Sequence, residues 1–262
     1  MDEIKRITKN ELYEIASTRR FSKDLLAKDY VLTEILFLIK NIPNVYFKGG
    51  TALQKTILHH SRLSEDIDFT VTTNVKKIDL EIIQTLDKSK MFGSITHDKN
   101  VTGFIRIVVA YNLFGEIKGE VFIDLNEKAD LLRIPENKAI EHFYANNIPK
   151  FQLNLLAEEE LIAEKLRAGI TRNKPRDHFD IYQILKTDHQ INYKLAEEKC
   201  KSAGIEFSII RLFNKAKTLK NRWDTDMIPL LAEEIEFTTV MRFLAKHFNL
   251  KEEKKKAKKQ KN

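Results

Sequence analysis

Val45-Tyr46-Phe47-Lys48-Gly49-Gly50-Thr51-Ala52-Leu53, followed closely by Ser64-Glu65-Asp66-Ile67-Asp68-Phe69, is the stretch that decides how this chain is read. Val45-Tyr46-Phe47 is a short β-branched and aromatic run that predicts a strand entering Gly49-Gly50, and Thr51 to His59 reads as a helix. Paired glycines at that junction let the backbone approach a ligand closely, and the unpaired N–H groups of a helix start face an anion such as a triphosphate. A tight strand-to-helix turn produces the same pattern and, alone, is its commoner origin. Ile67 to Val71 predicts a second strand, on which Asp66 and Asp68 point to one face and Ile67 and Phe69 to the other. Two carboxylates held side by side repel unless a cation lies between them. A hard oxygen site of this kind suits Mg²⁺ or Mn²⁺ bridging protein carboxylates and substrate phosphates. Two-metal chemistry needs a third carboxylate, and Asp124 in the apolar run Val121-Phe122-Ile123-Asp124-Leu125 supplies one.

Working outward, Asp24 to Lys40 carries apolar residues at helical intervals, and a further helix is predicted near Ile78 to Leu86. Two longer strands, Phe104 to Tyr111 and Glu120 to Leu125, are linked through Gly115. From about Phe151 strand signals stop. Ala157 to Thr171, Pro175 to Lys186, Tyr193 to Ala203, Phe207 to Lys220 and Ile228 to Phe248 all read as helices. The expectation is an α+β chain: a mixed-sheet core with N-terminal helices over 1–150, then an all-helical domain over 151–250. Seven lysines and two glutamates between Lys251 and Asn262 carry +5 of the net +7, so 251–262 reads as a disordered Lys-rich tail and the body is almost neutral. The 262 residues are 42% hydrophobic, enough for a full core. A single cysteine, Cys200, excludes an internal disulfide and a Cys-rich zinc site. With no signal peptide and no long apolar run, a cytoplasmic protein with no membrane segment is expected.

Lys48-Gly49-Gly50-Thr51-Ala52-Leu53 together with Arg62-Leu63-Ser64-Glu65-Asp66-Ile67-Asp68-Phe69 resembles the AbiEii/AbiGii toxin family, DNA polymerase β-like nucleotidyltransferases that include the MenT toxins. A second block, Glu164-Lys165-Leu166-Arg167-Ala168 through Arg172 to Arg176-Asp177-His178-Phe179-Asp180, is similar to the family's downstream lysine and aspartate motifs. The two blocks span Phe47 to Leu185. The resemblance implies a polymerase β-like nucleotidyltransferase core and transfer of a nucleoside monophosphate from an NTP, with pyrophosphate released. In the MenT branch the acceptor is the 3′ end of tRNA, which blocks translation. It also implies a toxin made beside a cognate antitoxin. Asp66 and Asp68 carry over as metal ligands, and Asp124 as the third acid, in a slot where the family usually has a Lys-x-Glu-like strand. Lys48, Gly49, Gly50, Thr51, Arg62, Ser64, Arg172 and Arg176 are the expected nucleotide-binding residues, and Lys165 and Asp177 join the acids as catalytic candidates.

The second block also has a physical reading. On a helical wheel Lys165 falls between Leu161 and Ile162, so it is expected to be partly desolvated and to need an anion, either a triphosphate or Glu158. Asp177 lies in the first turn after Pro175, where the helix dipole stabilises it, and shares a face with Ile181 and Ile184, an inward direction that suits orienting Lys165 or reaching the nucleotide. Asp180 is expected nearer the edge of that face. Ser64 is either a turn hydroxyl or a group meeting the nucleotide, and His59-His60 read as helix-end residues. Transfer to a protein hydroxyl or a small molecule, and an inert nucleic-acid-binding module using the lysine tail, are the competing functions.

Overall fold

A computed structural model describes residues 4–127, 131–172 and 174–259. The chain divides into two compact units, Met1–Glu158 and Glu159–Asn262.

The first unit opens with α1 (Lys9–Arg19) and α2 (Lys23–Ile39). Thr8 and Glu11 form a reciprocal capping box on α1, and the Ser22 hydroxyl accepts from the Leu25 N–H at the start of α2. There follow β1 (Val45–Lys48), α3 (Gly49–Thr56), β2 (Asp66–Val71), α4 (Val75–Ser89), β3 (Ile95–Val101), β4 (Phe104–Leu113), β5 (Ile117–Asn126), β6 (Glu136–Ala139) and β7 (Gln152–Leu155). One seven-stranded sheet runs in the order β3-β4-β5-β2-β1-β7-β6. β2 and β5 are parallel, as are β1 and β7, and the other pairs are antiparallel. One sheet face is apolar: Phe47, Ile67, Phe69, Ile123 and Leu125 are all buried, as strand alternation demands.

Three strands escape the sequence pattern for a physical reason. β3 is a mostly exposed, polar edge strand, and β6 is four residues long and equally polar, so neither shows a hydrophobic period. β7 lies beyond Phe151, where strands were expected to have ended, and it carries the first unit to Glu158 rather than to residue 150.

The second unit contains α5 (Glu158–Arg172), α6 (Pro175–Lys186), α7 (Tyr193–Ser202), α8 (Ala216–Met227), α9 (Phe237–His247) and α10 (Leu250–Lys259). The helix expected over Phe207 to Lys220 is instead a 3₁₀ segment, Ile209–Phe213, followed by α8. The one expected from Ile228 begins as a three-residue 3₁₀ turn containing Pro229, and α9 starts only at Phe237. The expected disordered tail is corrected most clearly. Residues 250–259 form α10, with Glu252 and Glu253 in its first turn, lysines in its last, and i,i+3 pairs Lys255–Glu252 and Lys256–Glu253. That charge order complements the helix dipole. Residues 260–262 lie outside the described residues.

A buried acid in α2 makes stability depend on pH. Glu34 is 3% exposed, and burial pushes its carboxyl up to about 7, opposed by a hydrogen bond to Tyr30 and the charge of Arg6. The unfolded chain ionises this group near pH 4.3. Between that value and about 7 the folded state therefore binds more protons, and stability falls as pH rises. Glu34→Gln is expected to leave the thermal midpoint nearly unchanged at pH 4 and to raise stability at pH 8 by on the order of 2 kcal/mol. An equal effect at both pH values would contradict a buried neutral acid.

Candidate active site

β1 and β2 are paired so that Lys48 lies opposite Asp68, and β2 and β5 so that Asp68 lies beside Asp124. Strand alternation then puts Lys48, Asp66, Asp68 and Asp124 on one sheet face, opposite the apolar one. Each of these four side chains is half-buried.

The glycine turn closes over this row of charges. Gly49 has φ +79°, the left-handed region, and a Cβ placed on it would sit 2.2 Å from Asp68 Oδ2. Only glycine lets the turn and the carboxylate come this close. A Cβ on Gly50 would lie 2.9 Å from Arg62 Nη2 and 3.2 Å from Ser64 Oγ, so the Arg62 guanidinium and the Ser64 hydroxyl border the same turn. The Thr51 hydroxyl donates to the Asp66 carbonyl, tying the first turn of α3 to β2. Arg62 is buried; its Nη1 donates to the Leu63 carbonyl at 2.8 Å and its N–H to Gln54 Oε1 at 3.2 Å.

Two features were not read from the sequence. The first is Arg106 on β4, which faces Asp124 in register and grips it through two bonds of 2.7 Å, Nε to Oδ1 and Nη2 to Oδ2. The bond to Asp124 raises the Arg106 guanidinium above its ordinary value, with Asp66 and Asp98 adding to the effect. Its position in an alternating strand was the available signal: Ile105 and Ile107 are buried, so Arg106 must face the acids. The second is the anchor beneath α3. Lys55 Nζ, 1% exposed, lies 2.8 Å from Asp29 Oδ1 and 3.0 Å from Thr33 Oγ1, and the Tyr144 hydroxyl is 3.0 Å from Asp29 Oδ2. This buried pair fastens the helix that begins at Gly49 to α2. α3 is also shorter than expected, because His59 and His60 adopt left-handed backbone after Thr56.

The donor set at Asp66 and Asp68 fits a divalent ion: two hard carboxylates share a face and one lies against a turn that admits no side chain. Asp124 fits it less directly, since both of its oxygens are engaged by Arg106. Among the described residues no group of three or more His, Cys, Asp or Glu side chains converges as a metal cage.

In the second unit, Lys165 of α5 lies 3.1 Å from Asp177 Oδ1 and 2.9 Å from Asp180 Oδ2 of α6, all three buried. Arg172 completes the cluster with two bonds to Asp177, of 2.8 and 2.9 Å, while its own side chain is 54% exposed. Burial pushes the Asp177 carboxyl up, but Lys165 and Arg172 outweigh it and hold the group well below the usual carboxylate range. Two expectations change here. Asp180 is fully buried and bonded to Lys165 rather than set at the edge, and Glu158 pairs with Lys138 at 2.6 Å instead of with Lys165. Gly169 permits the close approach of α5 and α6: a Cβ there would meet Ile181 Cδ1 at 2.7 Å. Arg176 sits half-buried in the first turn of α6.

The sequence matches the family described as "Nucleotidyl transferase AbiEii toxin, Type IV TA system" over residues 31–246. The chain belongs to the AbiEii family. It is therefore a nucleotidyltransferase toxin of a type IV toxin–antitoxin system, a kind of enzyme that uses an NTP and a divalent metal and is made with an antitoxin. Its fold is similar to that of MenT4, a nucleotidyltransferase toxin from Mycobacterium tuberculosis H37Rv, with a TM-score of 0.69 at 18% identity over 93% of this chain and 89% of that one. JHP933 from Helicobacter pylori is similar with a TM-score of 0.57 at 18% identity, over 92% and 98% of the two chains. A second H. pylori structure matches with a TM-score of 0.60 at the same identity, over 92% and 99% of the two chains. No curated protein matches the chain. Among the described residues of this AbiEii member, no helix is long and apolar enough to cross a membrane.

Proposed function

We propose that this toxin transfers a nucleoside monophosphate from an NTP to the 3′ end of tRNA, in a Mg²⁺-dependent reaction in the cytoplasm that blocks translation. The observation that carries the reading is the Asp68 carboxylate lying against the Gly49 Cα, beside Asp66 and under the start of α3. A triphosphate placed along the Gly49-Gly50-Thr51 turn meets backbone N–H groups at the helix start, with Lys48, Arg62 and Ser64 around it. A divalent ion held by Asp66 and Asp68 would neutralise charge on that triphosphate. The acceptor hydroxyl oxygen attacks the α-phosphorus, the bond from that phosphorus to the β-phosphate bridging oxygen breaks, and pyrophosphate leaves. Asp124 takes the hydroxyl proton, its two oxygens held in place by Arg106. We assign Lys165, Asp177 and Asp180 the organisation of the second unit, with Arg172 as the member exposed enough to meet phosphate and Arg176 beside it.

The acceptor is tested by incubating the protein with each [α-³²P]NTP and either total tRNA or lysate proteins. Label on tRNA alone is expected. Label on protein and none on RNA would replace the tRNA reading with transfer to a protein hydroxyl.

A further inference from the structure

We infer that the groove at the N-terminal ends of β1 and β7 is the track on which the RNA acceptor lies as it approaches the acid pair. The inference rests on the RNA-acceptor reading above and deepens it.

The groove has a volume of about 830 Å³ and is rimmed by Lys150, just before β7, and by Lys40 at the end of α2, whose ammonium lies over the Phe37 ring and donates to the Phe37 carbonyl. One wall is a row of amides, Asn137 of β6 with Gln152 and Asn154 of β7; apolar residues, Phe37 and Phe151 among them, make up much of the rest, and among the described residues no acidic side chain lines it. Asn137 and Asn154 are register partners, bonded amide to amide at 2.9 Å, and both are exposed, as are Gln152 and Lys150.

The register decides where this row points. Leu155 of β7 is the partner of Phe47 on β1, and both are buried on the apolar face. Asn154 and Gln152 therefore project from the other face, the one that carries Lys48, Asp66 and Asp68. Only β1 separates β7 from β2, two strand spacings or about 10 Å across the sheet, and along the strands Asn154 lies two residues, about 7 Å, below the level of Lys48 and Asp68, with Gln152 two residues further away. The amide row and the acid pair thus belong to one continuous surface of the first unit.

The chemistry of the lining suits a single-stranded nucleic acid. Lysine ammonium groups meet phosphates without regard to sequence. Asn and Gln side chains offer a donor and an acceptor on one planar group and pair with base edges or 2′-hydroxyls of an unpaired strand. An acidic peptide would also be drawn by the lysines and could pair its backbone with the amides, and the antitoxin-neutralisation outcome below separates it from RNA. The lack of carboxylates in the lining removes the repulsion that a phosphate backbone would otherwise meet.

Two full-length variants test the inference, each confined to exposed side chains so that the fold is kept. Lys150→Glu reverses one rim charge, and Gln152→Ala/Asn154→Ala removes two of the three amides with no change of charge. Transfer from [α-³²P]NTP is measured against tRNA concentration and, separately, against NTP concentration. The expected result is a KM for tRNA raised by about tenfold or more in each variant, with the KM for NTP at the wild-type value. Labelling of tRNA at the wild-type KM by both variants overturns the groove and leaves the RNA reading standing. Wild-type protein that labels no RNA overturns both. Wild-type tRNA kinetics combined with loss of neutralisation by the antitoxin would reassign the groove to a protein partner and so overturn the inference.

Discussion

Asp68→Ala is expected to reduce nucleotide transfer by more than about a hundredfold, a loss of the size seen when one preorganised electrostatic contact to a developing charge is removed. Two roles end together. Asp68 is one of the pair that would hold the divalent ion, and its carboxylate is the group nearest the Gly49 turn. The fold should survive, because Asp68 is half-buried on the polar face and none of the apolar side chains beneath it is altered. Loss of repulsion from Asp66 offsets loss of attraction to Lys48 across the β1–β2 pair, so the thermal midpoint should stay close to that of the wild type. The checks are incorporation of α-³²P label together with a melting curve on the same preparation. Retained transfer would remove Asp68 from the chemistry, and lost transfer with a collapsed melting curve would mean that the residue is structural.

Lys165→Ala should give the largest loss of stability, about 3–5 kcal/mol, the range for removing one partner of a buried ion pair. The substitution leaves Asp177 and Asp180 buried without the ammonium they share, and the Arg172 side chain that still bonds Asp177 is more than half exposed. Trp223 is the single tryptophan and lies buried in the same unit, so its fluorescence in urea follows the relevant unfolding. A double substitution, Lys165→Met with Asp180→Asn, should recover part of the loss by removing a charge from each side. A loss below about 1 kcal/mol for Lys165→Ala, the typical cost of an ordinary point substitution, would contradict the buried cluster. Asp177 adds a dependence on pH. Its folded carboxyl is held below the unfolded value near 3.9, so its contribution is present above that pH and is lost as the pH falls through the lower folded value. The wild-type second unit should therefore lose stability steeply in acid, and Lys165→Ala should flatten that loss.

Much of the first unit was legible because its apolar face writes itself into the sequence. Ile67 and Phe69 alternate with Asp66 and Asp68, and Ile123 and Leu125 flank Asp124, so strand, face and acid position followed from a period of two. The glycine turn was legible as well, but its cause was not: the approach of Asp68 to Gly49 depends on the β1–β2 register, a long-range property. For Arg106 the alternation with Ile105 and Ile107 could have given its face, but its place directly opposite Asp124 depends on the β4–β5 register. Lys165 was recognised as a lysine on an apolar stripe that needs an anion. Asp177 was legible as a group able to orient Lys165, and the two are bonded; Asp180 was set at the edge because the α5–α6 contact, opened by Gly169, is what turns it inward. The edge strands β3 and β6 and the helix α10 are mostly polar, with too few apolar residues to set a hydrophobic period.

The central claim is that the Asp66–Asp68 face beside the Gly49 turn performs metal-dependent nucleotide transfer to RNA. Its most direct test is the stoichiometry of pyrophosphate released to nucleotide added to tRNA, measured for the wild-type chain with Mg²⁺, with EDTA, and for the Asp66→Ala/Asp68→Ala variant. The account predicts one pyrophosphate per nucleotide added with Mg²⁺ and neither product in the other two reactions. Undiminished release and addition by the double variant, or in EDTA, would contradict it.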